Sequence, residues 1–282
     1  MRQGQSYWRY LRLSKSSDLH DADDLHCRAL LTERPLMTLA QYMDLDANFH
    51  AREELLNYRL LFDMKLAAAN HDYHLQTYYS DVDHDGFDII FDDRHTVRKV
   101  QLKTVSHSAT TKSWEIHRSV LRPTRDNWER LGFFHKGPAH ETECGVEGGV
   151  ILMRFDGSNP ALPVAYEYTD IYVITAIALK HLPRHHSVYT AAKNLRGNLK
   201  DEALTDKIGV SEGLFVKVGS ASNLLSLLSL QSPARINWQN RVVVSGQETE
   251  WGPKGQLLPS VLAQQIAEIP GAIQQASGHS HP

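Results

Sequence analysis

The chain has 282 residues, 41% hydrophobic and 22% charged, which suffices for one full core with a satellite or one large elaborated domain and excludes wholesale disorder. Its two cysteines, Cys27 and Cys144, exclude a disulfide scaffold and a cysteine-based zinc site, and fit a reducing cytosol. The net charge of −3 does not announce a nucleic-acid partner, but the charge is segregated along the chain.

Lys180, Arg184, Lys193, Arg196 and Lys200 have no acid between them, and six basic residues stand against three acids from Lys112 to Lys136. Acids gather instead at Asp18, Asp21, Asp23 and Asp24. Either basic cluster reads equally as a solvated helix face or as a surface for phosphate. No stretch reaches the roughly 20 apolar residues that span a bilayer, and the best candidate, Ile171 to Leu179, is far too short. The first residues lack the apolar run of a secretory signal. A soluble, cytoplasmic protein without a membrane partner is expected.

In chain order, residues 47–72 predict a long helix with Asn48 as N-cap and Asn70-His71-Asp72 as its end. Tyr73 to Tyr79 predicts a strand, Asp81 to Gly86 a loop, Phe87 to Phe91 a strand rich in Ile and Phe, Asp92 to His95 a turn, and Val97 to Val105 the returning strand. Trp114 to His117 predicts another strand and Thr124 to Leu131 a short helix. Gly148 to Phe155 is the clearest buried strand, stopped by Asp156-Gly157-Ser158-Asn159-Pro160. Tyr166 to Leu182 starts like a strand and ends like a helix. Residues 187–230 read as mainly helical, 231–258 as mixed, and the tail from Gly271 as frayed.

Chemistry concentrates in the hairpin. Metal-dependent phosphodiester hydrolysis needs hard oxygen ligands converging on one point and a cation near the attacking water or scissile phosphate. One strand carries Asp88, opposite in pleat to Phe87, Ile89 and Phe91. The next carries Gln101 and Lys103 on one face, with Val100, Leu102 and Thr104 on the other. An edge hairpin with one wet face would also accommodate an Asp and a Lys. Upstream, Leu56, Leu60, Leu61, Met64, Ala67 and Ala68 form a broad apolar helix face with Glu53 near its middle and Asn57 beside it. Glu54 falls with Tyr58 and Lys65 on a polar flank. A carboxylate on a core face wants a partner, and a metal is a good one; equally, Glu53 is at home exposed near a helix N-terminus.

A Glu-bearing helix, a strand, Gly86-Phe87-Asp88-Ile89-Ile90, a turn and Gln101-Leu102-Lys103 together resemble the PD-(D/E)XK superfamily of restriction-endonuclease-like nucleases. The likeness is to the Gln-x-Lys variant of Mrr-like and bacterial defence nucleases, and it covers about 60 residues. It implies an α/β fold with a mixed central sheet flanked by helices, Val150 to Phe155 being a further core strand, and an additional mainly helical C-terminal region. It further implies Mg²⁺ or Mn²⁺ held by Asp88, Gln101, the Leu102 carbonyl and Glu53, with Glu53, Asp88, Gln101 and Lys103 as the catalytic set. Lys103 would orient the attacking water and offset charge developing on phosphate. Gln101 stands where an acid is commoner, and its neutral amide is the weaker ligand, which gives Glu53 more weight.

The expected organisation is an extension over 1–46, a nuclease-like core over 47–182, and a C-terminal region over 183–282 for partner, dimer or DNA contacts. The expected activity is metal-dependent cleavage of DNA by an effector of antiphage defence or restriction, as a homodimer or beside a separate sensor or ATPase. An inactive nucleic-acid-binding or scaffold module on the same fold, and a nuclease acting on RNA, are the alternatives. The sixteen histidines are scattered without partner spacing, Gly145-x-x-Gly148-Gly149 lacks the Lys-Ser/Thr of a phosphate loop, and no Gly-x-Ser-x-Gly elbow occurs.

Overall fold

The computed structural model describes residues 37–79, 86–133, 144–200, 205–230, 238–251, 264 and 267–278. Cys27, the acids between 18 and 24, loop residues 81–85 with His84, and His279 and His281 lie outside the described residues. The chain divides into two compact units, Met1–Thr38 and Leu39–Pro282. The elements described here belong to the second.

Helix α1 (Leu39–Asp44) and a 3-10 turn (Asp46–Asn48) lead into α2 (Phe49–Asn70). Asn48 holds the N-cap position, but its amide donates to the Tyr42 carbonyl instead of capping. Leu56, Leu60, Met64 and Ala67 are buried at helical spacing. Leu55, Phe62 and Leu66 face outward on the same helix, so α2 is apolar on two sides.

Strands β1 (Gln76–Tyr79), β2 (Ile89–Asp92) and β3 (Val97–Ser106) form an antiparallel run. Asp93 closes the β2–β3 turn by accepting the His95 and Thr96 N–H groups at 2.9 and 2.7 Å. Next come β4 (Ser113–His117), α3 (Arg118–Leu121), α4 (Arg125–Trp128), β5 (Gly149–Phe155), β6 (Val164–Asp170), α5 (Ile171–Ala178) and α6 (His186–Lys200). The chain continues through β7 (Lys207–Ser211), β8 (Val216–Val218), α7 (Ala221–Leu227), α8 (Trp238–Trp251) and α9 (Ile269–Ser277).

The main sheet has the order β1-β2-β3-β5-β6-β8; β3 and β5 are parallel and every other pair is antiparallel. β4 and β7 make a separate antiparallel pair. The protein is thus mixed α/β, with a six-stranded mixed sheet flanked by helices, and β5 is the further core strand next to β3. Its residues 149–153 are buried on both faces. Each fully buried Val, Ile or Leu there contributes about 1.5–3 kcal/mol relative to exposure.

The register assigns the two faces. Val100, Leu102 and Thr104 share a face with Ile151, Met153, Tyr166 and Tyr168. α2 reaches this face, where Tyr166 donates to Asp63 at 2.6 Å. Gln101, Lys103 and Val105 share the other face with Leu152, Arg154, Glu167 and Lys217.

The segment Tyr166 to Leu182 divides at Asp170 into strand and helix, as its strand-like start and helix-like end suggest. Several other segments differ from their sequence-based expectation. Residues 207–218, expected to be helical, hold β7 and β8, and β8 extends the main sheet through β6. Val242 to Val244 lie in α8 despite their β-branched side chains, because helix packing overrides propensity. The tail is not frayed over 269–277: Ile269, Ile273 and Ala276 bury one face of α9.

Asp170 ties these parts together. Its carboxylate accepts from Val173 N–H at 2.7 Å, capping α5, and from the Tyr168 hydroxyl at 2.8 Å and the Gln239 amide at 3.1 Å. Arg98 of β3 donates to the Gln239 side-chain oxygen and to the Leu228 carbonyl, both at 2.7 Å. Burial pushes the Asp170 carboxyl up to about 6, against the partial relief of these donors. A folded value above the unfolded one means that stability is greatest below pH ~4 and declines as pH rises through ~6. Asp170→Asn keeps a capping oxygen and has no proton to lose. Urea titrations from pH 4 to 7.5 should show the variant gaining up to about 3 kcal/mol on the wild type. A constant difference across that range would count against the buried carboxylate.

Candidate functional site

The site starts from a local irregularity. Ile89 faces Val100 in the β2–β3 register, and the Asp88 N–H also donates to the Val100 carbonyl at 2.8 Å. Two residues therefore address one, the arrangement of a β-bulge, which re-aims side chains and ends pairing. Beyond it the Leu102 N–H is taken by the Asp88 side chain, with Oδ2 accepting at 2.6 Å. Because N–H and C=O of one strand residue point to the same neighbour, the Leu102 carbonyl faces the same gap. Asp88 thus lies half-buried against the Leu102 peptide.

The irregularity also moves Phe87. Strict alternation groups it with Ile89 and Phe91, yet its ring lies 4.6 Å from the Lys99 ammonium, and Lys99 shares the Gln101 side of β3. One extra residue inverts the pleat upstream of it.

Gln101 is buried, and its side-chain oxygen accepts the His117 N–H at 3.0 Å. That bond fixes the amide orientation and joins β3 to the β4–α3 corner. The His117 imidazole shares a 2.8 Å hydrogen bond with Ser119. It also packs on Gly86, where a Cβ would lie 2.1 Å from the His117 Cβ. Gly86 has φ +72, open to glycine and strained for other residues.

Lys103 is half-buried and makes no hydrogen bond or ion pair among the described residues. The acids on its face are already paired. Arg154 binds Glu167 at 2.7 Å and Glu212 at 2.6 Å, and Lys112 binds Glu212 at 2.8 Å. The Lys112 hydrogen bond, with Arg154 adding to it, holds the Glu212 carboxyl below its ordinary range. Among the described residues, these pairings leave no carboxylate bound to Lys103.

Glu53 is half-buried, one turn before Leu56 on the side of α2 that carries Leu60 and Met64. Among the described residues it makes no hydrogen bond or ion pair. α2 reaches the Val100–Leu102 face, whereas Gln101 and Lys103 point from the opposite one. The structure therefore brings together Asp88, Gln101, Leu102 and Lys103, and leaves Glu53 across the sheet from Gln101 and Lys103. Among the described residues no three His, Cys, Asp or Glu side chains converge; the expected set would draw only Asp88 and Glu53 from those types.

The donor types are those a hard divalent cation takes: a carboxylate and a strand carbonyl at one gap, with the Gln101 amide oxygen and the Lys103 ammonium on the same strand. Sequence reasoning missed Gly86, Lys99 and His117. The Asp85-Gly86 pair signalled a turn, but nothing local in the sequence links it to His117. Gly145, Gly148 and Gly149 allow close packing where β5 begins, since a Cβ at Gly148 would lie 2.5 Å from the Lys99 carbonyl.

No family model, curated protein or solved structure matches the chain. Among the described residues no helix is long and apolar enough to cross a membrane.

Gly86→Ala should destabilise the fold by more than the roughly 1–2 kcal/mol of left-handed backbone strain, because its Cβ meets the His117 side chain. Urea unfolding would measure it, and wild-type stability in this variant would show that the Gly86–His117 contact does not exist.

Proposed function

We propose that the chain is a divalent-metal-dependent nuclease of restriction-endonuclease-like fold that hydrolyses DNA phosphodiester bonds. The observation that carries this is the delivery of the Asp88 carboxylate onto the Leu102 peptide, next in sequence to Lys103, which makes no hydrogen bond or ion pair among the described residues. A mixed sheet with β3 inside it, rather than at an edge, also supports the proposal: Gln101 and Lys103 there are not ordinary side chains of a wet edge hairpin.

Asp88, Gln101 and the Leu102 carbonyl would hold Mg²⁺ or Mn²⁺, and Glu53, across the sheet from Gln101, is left out of this set. When bound, the ion supplies Lewis-acid polarisation of the phosphate and a more acidic water. Asp88 supplies the negative charge for the ion and, through Leu102 N–H, stays fixed in direction. His117 N–H holds the Gln101 oxygen in place. Lys103 offsets the charge that grows on the phosphate oxygens and orients the attacking water. The Arg154–Glu167–Glu212 network keeps nearby carboxylates from neutralising it. A role as effector in restriction or antiphage defence, as a homodimer or beside a separate sensor or ATPase, belongs to the same proposal.

One observation favours a non-catalytic nucleic-acid-binding module instead. Asp88 Oδ2 and Gln101 Oε1 each already accept a backbone N–H, so the hairpin holds together without an ion.

Plasmid cleavage with Mg²⁺ and Mn²⁺ separates the two. Asp88→Ala and Lys103→Ala should each lower the cleavage rate by about 10²–10³-fold, the usual loss for a group stabilising transition-state charge. Undiminished cleavage in both variants would sink the assignment; absence of turnover on DNA and RNA with any divalent ion, alongside salt-sensitive binding, would favour the module. Gln101→Glu keeps an acceptor for His117 N–H and adds a charge. Calorimetric titration should show tighter Mn²⁺ binding than wild type, and equal or weaker binding would remove Gln101 from the ligand set.

A further inference from the structure

Helix α2 carries a second apolar stripe that its own core leaves bare. Leu55, Tyr58, Phe62 and Leu66 are all exposed, Phe62 by 63% and Tyr58 by 57%. Single exposed apolar side chains are ordinary. These four instead recur at helical spacing and, at about 100° per residue, fall within roughly 80° of one another. They lie on the side away from the buried Leu56, Leu60 and Met64. A helix that serves one core needs one such stripe.

The borders of the stripe carry charge in a defined order. Glu54 and Lys65 stand on one border, three turns apart and nearly in line. Glu54 accepts the Tyr58 hydroxyl at 2.8 Å, and Lys65 donates to the Leu75 carbonyl at 3.2 Å. Neither makes an ion pair among the described residues, and each has bonding capacity left. On the other border Arg59 and Asp63 bind each other at 3.0 Å. The two borders together are neutral. A lipid surface asks for cations along such borders, and a strongly charged partner asks for one sign; this face offers neither.

The pattern is complementary to its own reversal. A two-fold axis crossing the helix level with Leu60 sets Leu55 opposite Leu66 of the partner subunit and Tyr58 opposite Phe62 of the partner subunit. In an antiparallel pair each border meets its own copy, so Glu54 falls opposite Lys65 of the partner subunit, and symmetry makes that contact twice. The stripe is roughly 18 Å long and one helix wide, which buries less than the about 1,200 Å² at which stable interfaces begin. A reversible, concentration-dependent dimer is the outcome. α2 lies on the Val100–Leu102 face, so the pairing leaves Gln101 and Lys103 on the far side of each sheet.

We propose that the chain pairs with a second copy of itself through this stripe, with the two α2 helices antiparallel. A homodimer and a separate partner are both open to the nuclease; the stripe fits the first, and the pairing itself does not rest on that assignment.

Sedimentation velocity of the full chain in EDTA without nucleic acid, from about 1 to 100 μM, tests it. The wild type should pass from 31.9 kDa toward twice that mass. Phe62→Asp places a carboxylate from each copy near the centre of the seam and should stay monomeric. Glu54→Lys and Lys65→Glu each set like charges together twice per dimer. Either alone should weaken association at least about tenfold at about 0.1 M salt, and the two combined should return it to within about threefold of wild type. Thermal melts at the lowest concentration report whether each variant is folded.

A wild type that stays monomeric over that range overturns the proposal, and so does a dimer that persists in folded Phe62→Asp. Single reversals without effect, or without rescue in the double, overturn it through the antiparallel register. A chain that dimerises through Phe62 but cleaves nothing with any divalent ion fails the nuclease assignment and keeps this one. Cleavage by a chain that stays monomeric does the reverse.

Discussion

The contact on which the candidate site depends is the double address of Val100 by Asp88 and Ile89. A regular ladder would carry β2 on past Leu102 and cover its peptide. Here the extra residue turns the strand away, and a carboxylate takes the Leu102 N–H instead of a carbonyl. The other features follow. Gly86 absorbs the turn at positive φ, His117 fills the space its missing Cβ leaves, and Phe87 swaps to the Lys99 side. A single register defect thus leaves the Leu102 peptide to the Asp88 side chain instead of to a neighbouring strand.

Charge is placed with equal economy on the two faces of the sheet. On one, Asp170 is buried among neutral hydrogen-bond donors, and Arg98, bound to Gln239, eases that burial by its charge. That arrangement holds strand, helix cap and C-terminal helices together at the expense of an ionised carboxylate. On the other, Arg154 absorbs Glu167 and part of Glu212, so the neighbouring Lys103 keeps its full field. The same sheet is a neutral clamp on one side and a cationic surface on the other.

Much of this is legible in the amino-acid sequence, for physical reasons. β5 reads as a strand because burial on both faces gives a continuous apolar run bounded by glycines and Asp156-Gly157. The hairpin reads through its alternation, and Asp88, Gln101 and Lys103 through their departure from it. β8 has three residues, too few for a period to show. β7 alternates over only five. Helix α9 carries Ile269, Ile273 and Ala276 at helical spacing, masked by Pro270-Gly271 and a polar run. Glu53 is half-buried beside the apolar face of α2, and only the sheet register shows which side of the hairpin that face approaches. Gly86 and His117 meet across a long stretch of chain, and no local pattern encodes such a meeting.

The parallel pairing of β3 with β5 has a temporal consequence. A hairpin such as β2–β3 closes from neighbours in sequence, whereas parallel strands wait for a long crossover, and non-local closure is slow. The crossover here is the segment that carries β4 and His117, and β4 itself is completed only by β7, far downstream. During synthesis, Asp88 and Lys103 emerge shortly before His117, which orients Gln101, and long before β7, which completes β4. The β4–β7 pair beside the candidate site therefore closes only after β7 has been made. A nascent or truncated chain would carry the motif without the site.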